Sequence, residues 1–292
     1  MTTTIRRAQD SDRAGMETIA ARTWGGDDYL PHVLDDWLAD PDGYYYVARR
    51  EDQVVGMARL ARLGPAEWWL EGIRVHPDLY GQGIGRELHH FSVKQAQELG
   101  SGVLRLATSS ANTAIHKLAS ETAFERVGNF VLYRTDGKEI GNSADEFRAM
   151  TANDVPTLRV WLDSSPYYSQ AGRSLEQSWR WYFITDERLK ERVEQSLVFG
   201  WYKQQALQGL VILNPFPQPE PGRVPILNIA YLDASVGKLA TLALAVRGLA
   251  AQLGYRKMGM RFLARPERLV AMEQAGWRRL GQDAISVFRR DF

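Results

Sequence analysis

The sequence contains no cysteine, which excludes a disulfide framework, a thiolate nucleophile and a metal site with cysteine ligands. It also lacks an apolar run of the ~18 residues that a membrane-spanning helix needs, and Met1–Arg7 shows no apolar core of a secretory signal peptide. Lysine and arginine (36) nearly balance aspartate and glutamate (35), so no overall charge favours nucleic acid or an anionic membrane. We therefore predict a cytoplasmic protein without metal, nucleic-acid or membrane partners.

The composition is that of a folded globular protein. Apolar residues make up 45% and charged residues 24% of the chain, which is ordinary for such proteins. The length of 292 residues is sufficient for two domains of usual size.

One stretch combines a strand, a glycine-rich turn and a helix. The β-rich run Trp68–Val75 is followed by glycines at alternate positions, Gly81, Gly83 and Gly85, and the apolar residues then take helical spacing as far as Leu99. Such a turn points backbone N–H groups towards one spot, where the helix dipole favours an anion. The stretch therefore predicts a phosphate-binding site.

Two common phosphate motifs do not fit this turn. A Walker A loop ends in Gly-Lys-Ser/Thr, whereas Arg86 follows Gly85, and the G-x-G-x-x-G pattern of a dinucleotide site is also absent. A helix that merely begins after a glycine-rich turn remains the alternative interpretation.

The order Val-His-Pro followed by Gly-x-Gly-x-Gly resembles the acyl-CoA-binding motif of the GNAT N-acyltransferase superfamily, which reads Arg/Gln-x-x-Gly-x-Gly/Ala. Gly83 and Gly85 match its glycines, whereas Tyr80 stands where Arg or Gln is usual. The predicted order β-α-α-β-β-β-α-β-α-β over residues 1–135 is also that of the superfamily. The resemblance implies an α/β (α+β) fold with a mixed, largely antiparallel twisted sheet flanked by helices.

The second half of the chain repeats the pattern of the first. The matching pairs are Phe147–Asp154 with Ile5–Asp12, Leu207–Leu213 with Val54–Leu60, Gly209 with Gly56, and Gly276 with Ala123, the last two pairs sharing an offset of 153 residues. The glycine-rich turn is absent from the second copy, where Gly237 stands alone. We therefore predict a GNAT acyltransferase domain at 1–137, a linker at 138–144 and a degenerate GNAT-like domain at 145–292.

The resemblance also implies how acetyl-CoA would bind as co-substrate. In this superfamily the fourth and fifth strands separate, and the acyl-pantetheine arm pairs with the fourth strand while the turn holds the pyrophosphate. The implied acetyl-CoA-binding residues are Ile73, Arg74, Val75, Tyr80, Gly81, Gln82, Gly83, Ile84, Gly85, Arg86 and Asn112. His89 and Lys94 would add nearby charge, and simple helix capping is the alternative role of Asn112.

The same resemblance implies direct attack of an amine on the thioester, without a covalent enzyme intermediate. Glu71 is the candidate general base because it alternates with Ile73 along the strand; the alternative is a structural carboxylate paired with an arginine such as Arg74 or Arg105. The tyrosine that commonly protonates the leaving thiolate is replaced by Ala119. His116 or Tyr133 could take over that role.

We therefore predict an acyltransferase, an N-acetyltransferase that acetylates a primary amine of a small molecule or peptide. The alternatives are a non-catalytic protein that binds or senses acyl-CoA on the same scaffold, and an interaction protein on a decayed one. Two fused copies are compatible with a monomer or a homodimer.

Overall fold

The computed structural model describes residues 2–141, 143–216 and 222–292, and their contacts divide the chain into two units. The first unit contains the residues up to Thr108, together with Asn112–Arg126 and Phe288–Phe292. The second contains Ser109–Ala111 and Val127–Val287. The boundaries expected at residues 137 and 145 stay a prediction.

The first half of the chain alternates strands and helices in the predicted order. Its elements are β1 (Thr4–Arg7), α1 (Arg13–Ala21), α2 (Leu30–Ala39), β2 (Tyr44–Arg50), β3 (Gln53–Gly64), β4 (Glu67–Val75), α3 (Ile84–Glu98), β5 (Val103–Ser109), α4 (Thr113–Glu121) and β6 (Glu125–Asp136).

The second half follows the same plan with an insertion after its first helix. Its elements are β7 (Phe147–Ala149), α5 (Val155–Ser164), α6 (Pro166–Gln170), β8 (Ser174–Gln177), β9 (Arg180–Phe183), α7 (Asp186–Glu194), β10 (Val198–Lys203), β11 (Ala206–Leu213), β12 (Ile226–Ala234), α8 (Val236–Gln252), β13 (Lys257–Leu263), α9 (Pro266–Gln274) and β14 (Arg278–Asp291). Among the described residues, no helix is long and apolar enough to cross a membrane.

The sheet of the first unit runs in the order β1-β2-β3-β4-β5, with every pair antiparallel except β4 and β5, which are parallel. Residues 288–292 complete this unit beside β5, since the N–H of Phe292 donates to Gly102 O (3.0 Å) and the N–H of Gly102 donates to Phe292 O (2.8 Å). Apolar side chains of α1 and α2 cover one cluster of strand residues, and those of α3 and α4 cover another. The predicted fold class is confirmed.

The sheet of the second unit has the order β7-β10-β11-β12-β13-β6, with residues 278–287 of β14 next to β6. Among the described pairs from β7 to β6, β12 and β13 are parallel and the others antiparallel. The inserted segment adds α6 and a separate hairpin of β8 and β9. Sequence patterns gave no sign of this hairpin, because its turn residues Ser178 (φ 52°) and Trp179 (φ 68°) are not the glycine or asparagine that usually adopt positive φ.

The predicted repeat is visible in the packing of two glycines. A Cβ at Gly56 would lie 2.9 Å from Leu88 Cδ1, and a Cβ at Gly209 would lie 2.8 Å from Leu242 Cδ2. Leu88 belongs to α3 and Leu242 to α8, so in both halves the glycine allows the long helix to approach the sheet closely.

The second repeated feature is the end of a helix. Ala123 (φ 57°) follows α4 and Gly276 (φ 80°) follows α9, both in the left-handed conformation. The next N–H reaches back five residues in each case, from Phe124 to Ala119 O (2.9 Å) and from Trp277 to Met272 O (3.1 Å). Both helices therefore end in the same Schellman motif.

Candidate functional site

The parallel strands β4 and β5 of the first unit separate partway along their length. They pair from Glu67 to Leu70, opposite Val103 to Leu106, and in the described part of the chain no pair joins them beyond Leu70. Residues 73–75 therefore keep one strand edge unpaired next to β5, where an extended ligand could add main-chain hydrogen bonds.

A bulge bends β4 at the point of separation. Glu71 lies opposite Arg59 and Arg74 opposite Met57, so two residues of β4 face one residue of β3. Gly72 within the bulge has φ 67°, and a Cβ there would lie 2.7 Å from Cζ3 of Trp37. The bulge thus needs glycine both for its backbone and for the close approach of the indole.

The turn after β4 has the geometry expected of an anion-binding loop. Gly81 (φ 77°) and Gly83 (φ 85°) both adopt the left-handed conformation, and a Cβ on either would meet no atom within 4 Å. The N–H of Tyr80 donates to Pro77 O (3.2 Å) and that of Gln82 to Leu79 O (3.4 Å). These two of the predicted donors are therefore used within the loop.

The remaining amides of the turn are available. The first bond of α3 runs from Glu87 N to Gly83 O (2.9 Å), so the N–H groups before it precede the helical ladder. Within the described chain, no backbone acceptor is bonded by the N–H groups of Gly81, Gly83, Ile84, Gly85 and Arg86. They line the positive end of the α3 dipole, and this arrangement suits a phosphate.

Side chains around the turn add positive charge. Arg86 is exposed and donates to Glu121 Oε2 (2.6 Å), while Arg50 donates to Gln82 Oε1 (2.5 Å). Both guanidiniums lie in exposed contacts that a phosphate could compete for. Tyr80 is 61% exposed and offers the turn no charge.

Arg74 ties the open segment of β4 to the loop between α1 and α2. Its Nε and Nη2 donate to the buried carboxylate of Asp28 (2.8 and 3.1 Å), and its Nη1 donates to Ile73 O (3.0 Å). Its guanidinium also lies 4.2 Å from the ring centre of the exposed Trp24. Val75 pairs with Gly56 of β3.

The structure gives Glu71 an ion-pair partner that sequence patterns did not indicate. Arg59 donates to Glu71 Oε1 through Nη1 and to Asp40 through Nη2. Arg59 is 4% exposed and lies over the ring of Trp37. Of the partners considered from sequence, Arg74 forms an ion pair with Asp28 and Arg105 with Glu67.

Asn112 caps helix α4 in the structure. Its Oδ1 accepts from Ile115 N (3.3 Å) and its Nδ2 donates to Thr108 Oγ1 (3.0 Å). These contacts are those of the capping alternative, and contact with a pantetheine arm stays a prediction.

The position at which the resemblance implies a tyrosine as general acid is occupied by a buried core residue. Ala119 is fully buried in the apolar cluster beneath α3 and α4. The ring of His116 packs against that of Phe288, with 5.1 Å between the ring centres. Tyr133 lies in the second unit, where its hydroxyl donates to Glu273 Oε1 (3.3 Å) and burial raises its pKa to about 12.

The expectation that His89 supplies charge near the turn is wrong. His89 is completely buried, and burial lowers its pKa to about 4. Thr122 Oγ1 donates to Leu118 O (2.7 Å), so the contact of 2.8 Å between His89 Nε2 and Thr122 Oγ1 requires Nε2 to carry the proton. His89 is therefore a neutral residue of the core.

In the second unit the equivalent gap is filled by a side chain. In the described part of the chain, β12 and β13 pair as far as Ile229 and Met260. Beyond that point Arg268 of α9 contacts the end of β12 and lies over the ring of Phe262 in β13. Arg268 donates to Asp233 Oδ1 (2.5 Å) and to the backbone O of Ala234 (3.3 Å). In the first unit the offset of 153 residues places Ile115 at this position, an apolar residue packed against the core.

Two comparisons of sequence agree with this geometry. The sequence model described as the Acetyltransferase (GNAT) family matches residues 13–124. N-alpha-acetyltransferase RimI of Mycobacterium tuberculosis is 33% identical over 129 residues, which make up 43% of this chain and 80% of that protein.

Solved structures show the same fold over the whole chain. A putative acetyltransferase from Thermoplasma acidophilum superposes with a TM-score of 0.60 at 15% identity, covering 99% of this chain and 100% of the other. A tandem GNAT protein from the clavulanic acid biosynthesis pathway superposes with a TM-score of 0.53 at 14% identity, covering 99% and 98%.

Proposed function

Because this chain belongs to the GNAT acetyltransferase family, we propose that its first unit transfers an acetyl group from acetyl-CoA to a primary amine of a small molecule or peptide. The observation that carries the proposal is the separation of β4 from β5 beside a turn with available amides. An anion site and an open strand edge together match a ligand with a pyrophosphate and an amide-bearing arm.

The proposed binding mode uses main-chain groups throughout. The pyrophosphate accepts hydrogen bonds from the available N–H groups of the turn, and the pantetheine arm lies along the unpaired edge of residues 73–75. The available N–H groups are those of Gly81, Gly83, Ile84, Gly85 and Arg86. Helix α3 stabilises the negative charge through its dipole. The thioester then lies near the bulge at Gly72.

The proposed reaction is a direct transfer. The amine nitrogen attacks the thioester carbonyl, the C–S bond breaks, and the acetamide and the CoA thiolate are released. Glu71 accepts the proton that the ammonium must lose, and the thiolate takes a proton from solvent. Arg59 holds the Glu71 carboxylate in place while Asp40 shares its charge.

The binding step is tested by a pair of glycine variants. Gly83→Val forces a β-branched residue into left-handed backbone at the turn. This conformation costs an L-residue about 1–2 kcal/mol, so the turn is expected to rearrange and its amides to lose their alignment. We expect calorimetry to show at least roughly tenfold weaker acetyl-CoA binding. Gly254→Val is the matched control: its φ of 84° is close to the 85° of Gly83 and its Cβ is equally unhindered. Equal affinity in both variants would contradict the proposed loop.

The same titration gives a stoichiometry. We expect one acetyl-CoA per chain, because Arg268 fills the gap of the second unit. Absence of any binding to the wild-type protein at high micromolar ligand would overturn the proposal itself.

The catalytic step is tested by release of CoA thiol with a panel of amines. Glu71→Gln should lower kcat by roughly 10²- to 10⁴-fold, the usual effect of losing a general base, while acetyl-CoA affinity stays unchanged. Asp40→Asn is the matched control, because it also removes a carboxylate from Arg59. A Glu71→Gln variant as active as Asp40→Asn would remove Glu71 from the mechanism.

Ala119 favours a second candidate function, an acyl-CoA-binding protein without turnover. With the tyrosine position occupied by a buried methyl group, the first unit has no acid at that site. Acetyl-CoA binding without CoA release for any amine would support this candidate, and sustained turnover by the wild-type protein would exclude it.

A further inference from the structure

A pair of arginines lies on one face of the second unit's sheet. Arg134 of β6 pairs with Gly259 of β13, and Arg261 stands two residues further along β13. Residues 259 and 261 share a face because side chains alternate along a strand. The two arginines are therefore diagonal neighbours, about 7–8 Å apart at the backbone and within reach of each other through their long side chains.

The two arginines differ in how their charge is balanced. Arg261 donates to the buried carboxylate of Glu176 (2.9 Å). Arg134 donates only to the neutral Oδ1 of Asn228 (3.1 Å), and among the described residues no carboxylate forms an ion pair with it. Burial, and then the charge of Arg261, lowers the pKa of Arg134, while the carboxylate of Glu176 opposes this shift. Glu176 bonds to Arg261 and not to Arg134, and a half-buried guanidinium without a bonded carboxylate is unfavourable.

The space that Arg134 occupies exists because residue 259 is glycine. A Cβ there would lie 1.6 Å from Arg134 Nη1, so the guanidinium rests directly on the Gly259 backbone. The position of the charge is thus determined by the sequence of the neighbouring strand.

An exposed indole borders the same site. Trp179, at the turn between β8 and β9, is 53% exposed, and Arg261 lies 4.0 Å from its ring centre. The backbone N–H of Trp179 donates to Glu176 Oε1 (2.8 Å), which fixes the turn above the arginine. β8 lies against β12, so the hairpin stands over this part of the sheet. A flat apolar surface therefore adjoins the pair of arginines.

We propose that Arg134, Arg261 and Trp179 form a binding site for the oxyanion of a small molecule, a carboxylate or a phosphate, whose attached planar ring packs against the indole. Guanidinium groups bind such oxyanions through paired hydrogen bonds, and the oxyanion supplies the hydrogen-bonded anion that Arg134 lacks among the described residues. The site lies wholly within the second unit and is independent of the proposed acetyl transfer.

The test uses the full chain without acetyl-CoA, at constant ionic strength. Benzoate and phenyl phosphate are compared with acetate and inorganic phosphate by thermal unfolding and by the indole N–H resonance of Trp179, assigned with Trp179→Phe. We expect the aromatic anions to raise Tm saturably, to shift this resonance, and to bind at least tenfold more tightly than acetate or inorganic phosphate. The stronger of the two aromatic anions identifies the oxyanion as carboxylate or phosphate.

Three variants make the test specific. Arg134→Gln removes the charge, and Gly259→Ala displaces the guanidinium while its extended backbone accepts alanine; both should abolish the anion effects without lowering Tm in their absence. Arg256→Gln, at an exposed arginine of the same unit, is the control and should respond as wild type. Anion effects that persist in Arg134→Gln, equal effects of acetate and benzoate, or no effect on the wild-type protein would each overturn the proposal.

Discussion

His89 shows how burial reverses the role that a residue type suggests. Its Nδ1 is buried without a hydrogen-bond partner, and its Nε2 donates to Thr122. Protonation would place a positive charge among Phe124 and the apolar residues of the core, so the folded protein holds this imidazole neutral.

This burial predicts a loss of stability in mild acid. The pKa of His89 is about 4 in the folded protein and near 6.5 when unfolded, so between pH 6.5 and pH 4 the unfolded chain binds a proton that the folded chain does not. Stability should therefore fall by up to about 3 kcal/mol as the pH decreases through this window. Urea unfolding should show a shallower loss in His89→Gln, whereas His32→Gln, at an exposed position of α2, should follow wild type.

Single residues of the site were predictable only as far as local pattern determines them. Glycine at positions 81 and 83 indicates a turn with positive φ, because no other residue type adopts positive φ at so little energetic cost. The partner of Glu71 could not be predicted, since Arg59 reaches it across a register that depends on the bulge in β4. Arg268 gave no signal either, because an arginine on a helix usually faces solvent.

At the level of helices and strands, the two copies of the Schellman motif differ in one residue. Both require positive φ at the residue after the helix, and the second copy uses Gly276 while the first uses Ala123, which is exposed. The left-handed conformation costs an alanine about 1–2 kcal/mol. The first copy therefore carries strain that the second avoids.

We expect Ala123→Gly to stabilise the first unit by roughly 0.5–1 kcal/mol, the relief of strain less the greater entropy of glycine in the unfolded chain. Chemical denaturation checks the value. Gly276→Ala is the reciprocal variant and should destabilise the second unit. A loss of stability in Ala123→Gly would contradict this account of the helix end.

Sequence periodicity predicted the order of helices and strands in the first half of the chain. The internal repeat extended this prediction to the second half. It did not reveal α6 and the hairpin of β8 and β9. Their residues include several aromatics, which suit a core strand, a helix and a hairpin equally well. The insertion also has no counterpart in the first copy, so the repeat could not indicate it.

At the scale of the whole molecule, the first unit depends on residues far away in the sequence. Phe288 is buried in the apolar cluster that also contains Leu104 and Phe124. Arg290 donates to Thr122 O (2.9 Å), and Phe292 exchanges backbone bonds with Gly102. Sequence patterns placed these residues in the predicted domain 145–292 and gave no sign that residues 288–292 pack with the first unit, because pairing partners are set by the complete fold.

Phe288→Ala should therefore weaken acetyl-CoA binding, although the phosphate turn lies some two hundred residues earlier in the sequence. Truncating a buried phenylalanine costs about 3–5 kcal/mol, enough to unfold a substantial fraction of a marginally stable unit. Thermal unfolding and calorimetry measure both effects. Phe216→Ala, at a residue that is 38% exposed, is the control, and unchanged binding in Phe288→Ala would show that the unit folds without this strand.

The late position of this strand bears on how the protein matures during translation. Residues 2–126 leave the ribosome well before residues 288–292. The first unit therefore lacks its last strand while the intervening chain is still being made. Until then the edge of β5 and the pocket for Phe288 stay open to water and to other nascent chains, a recognised hazard for unpaired strands. Premature termination upstream of this strand would thus yield a product that chaperones must hold and proteases can clear.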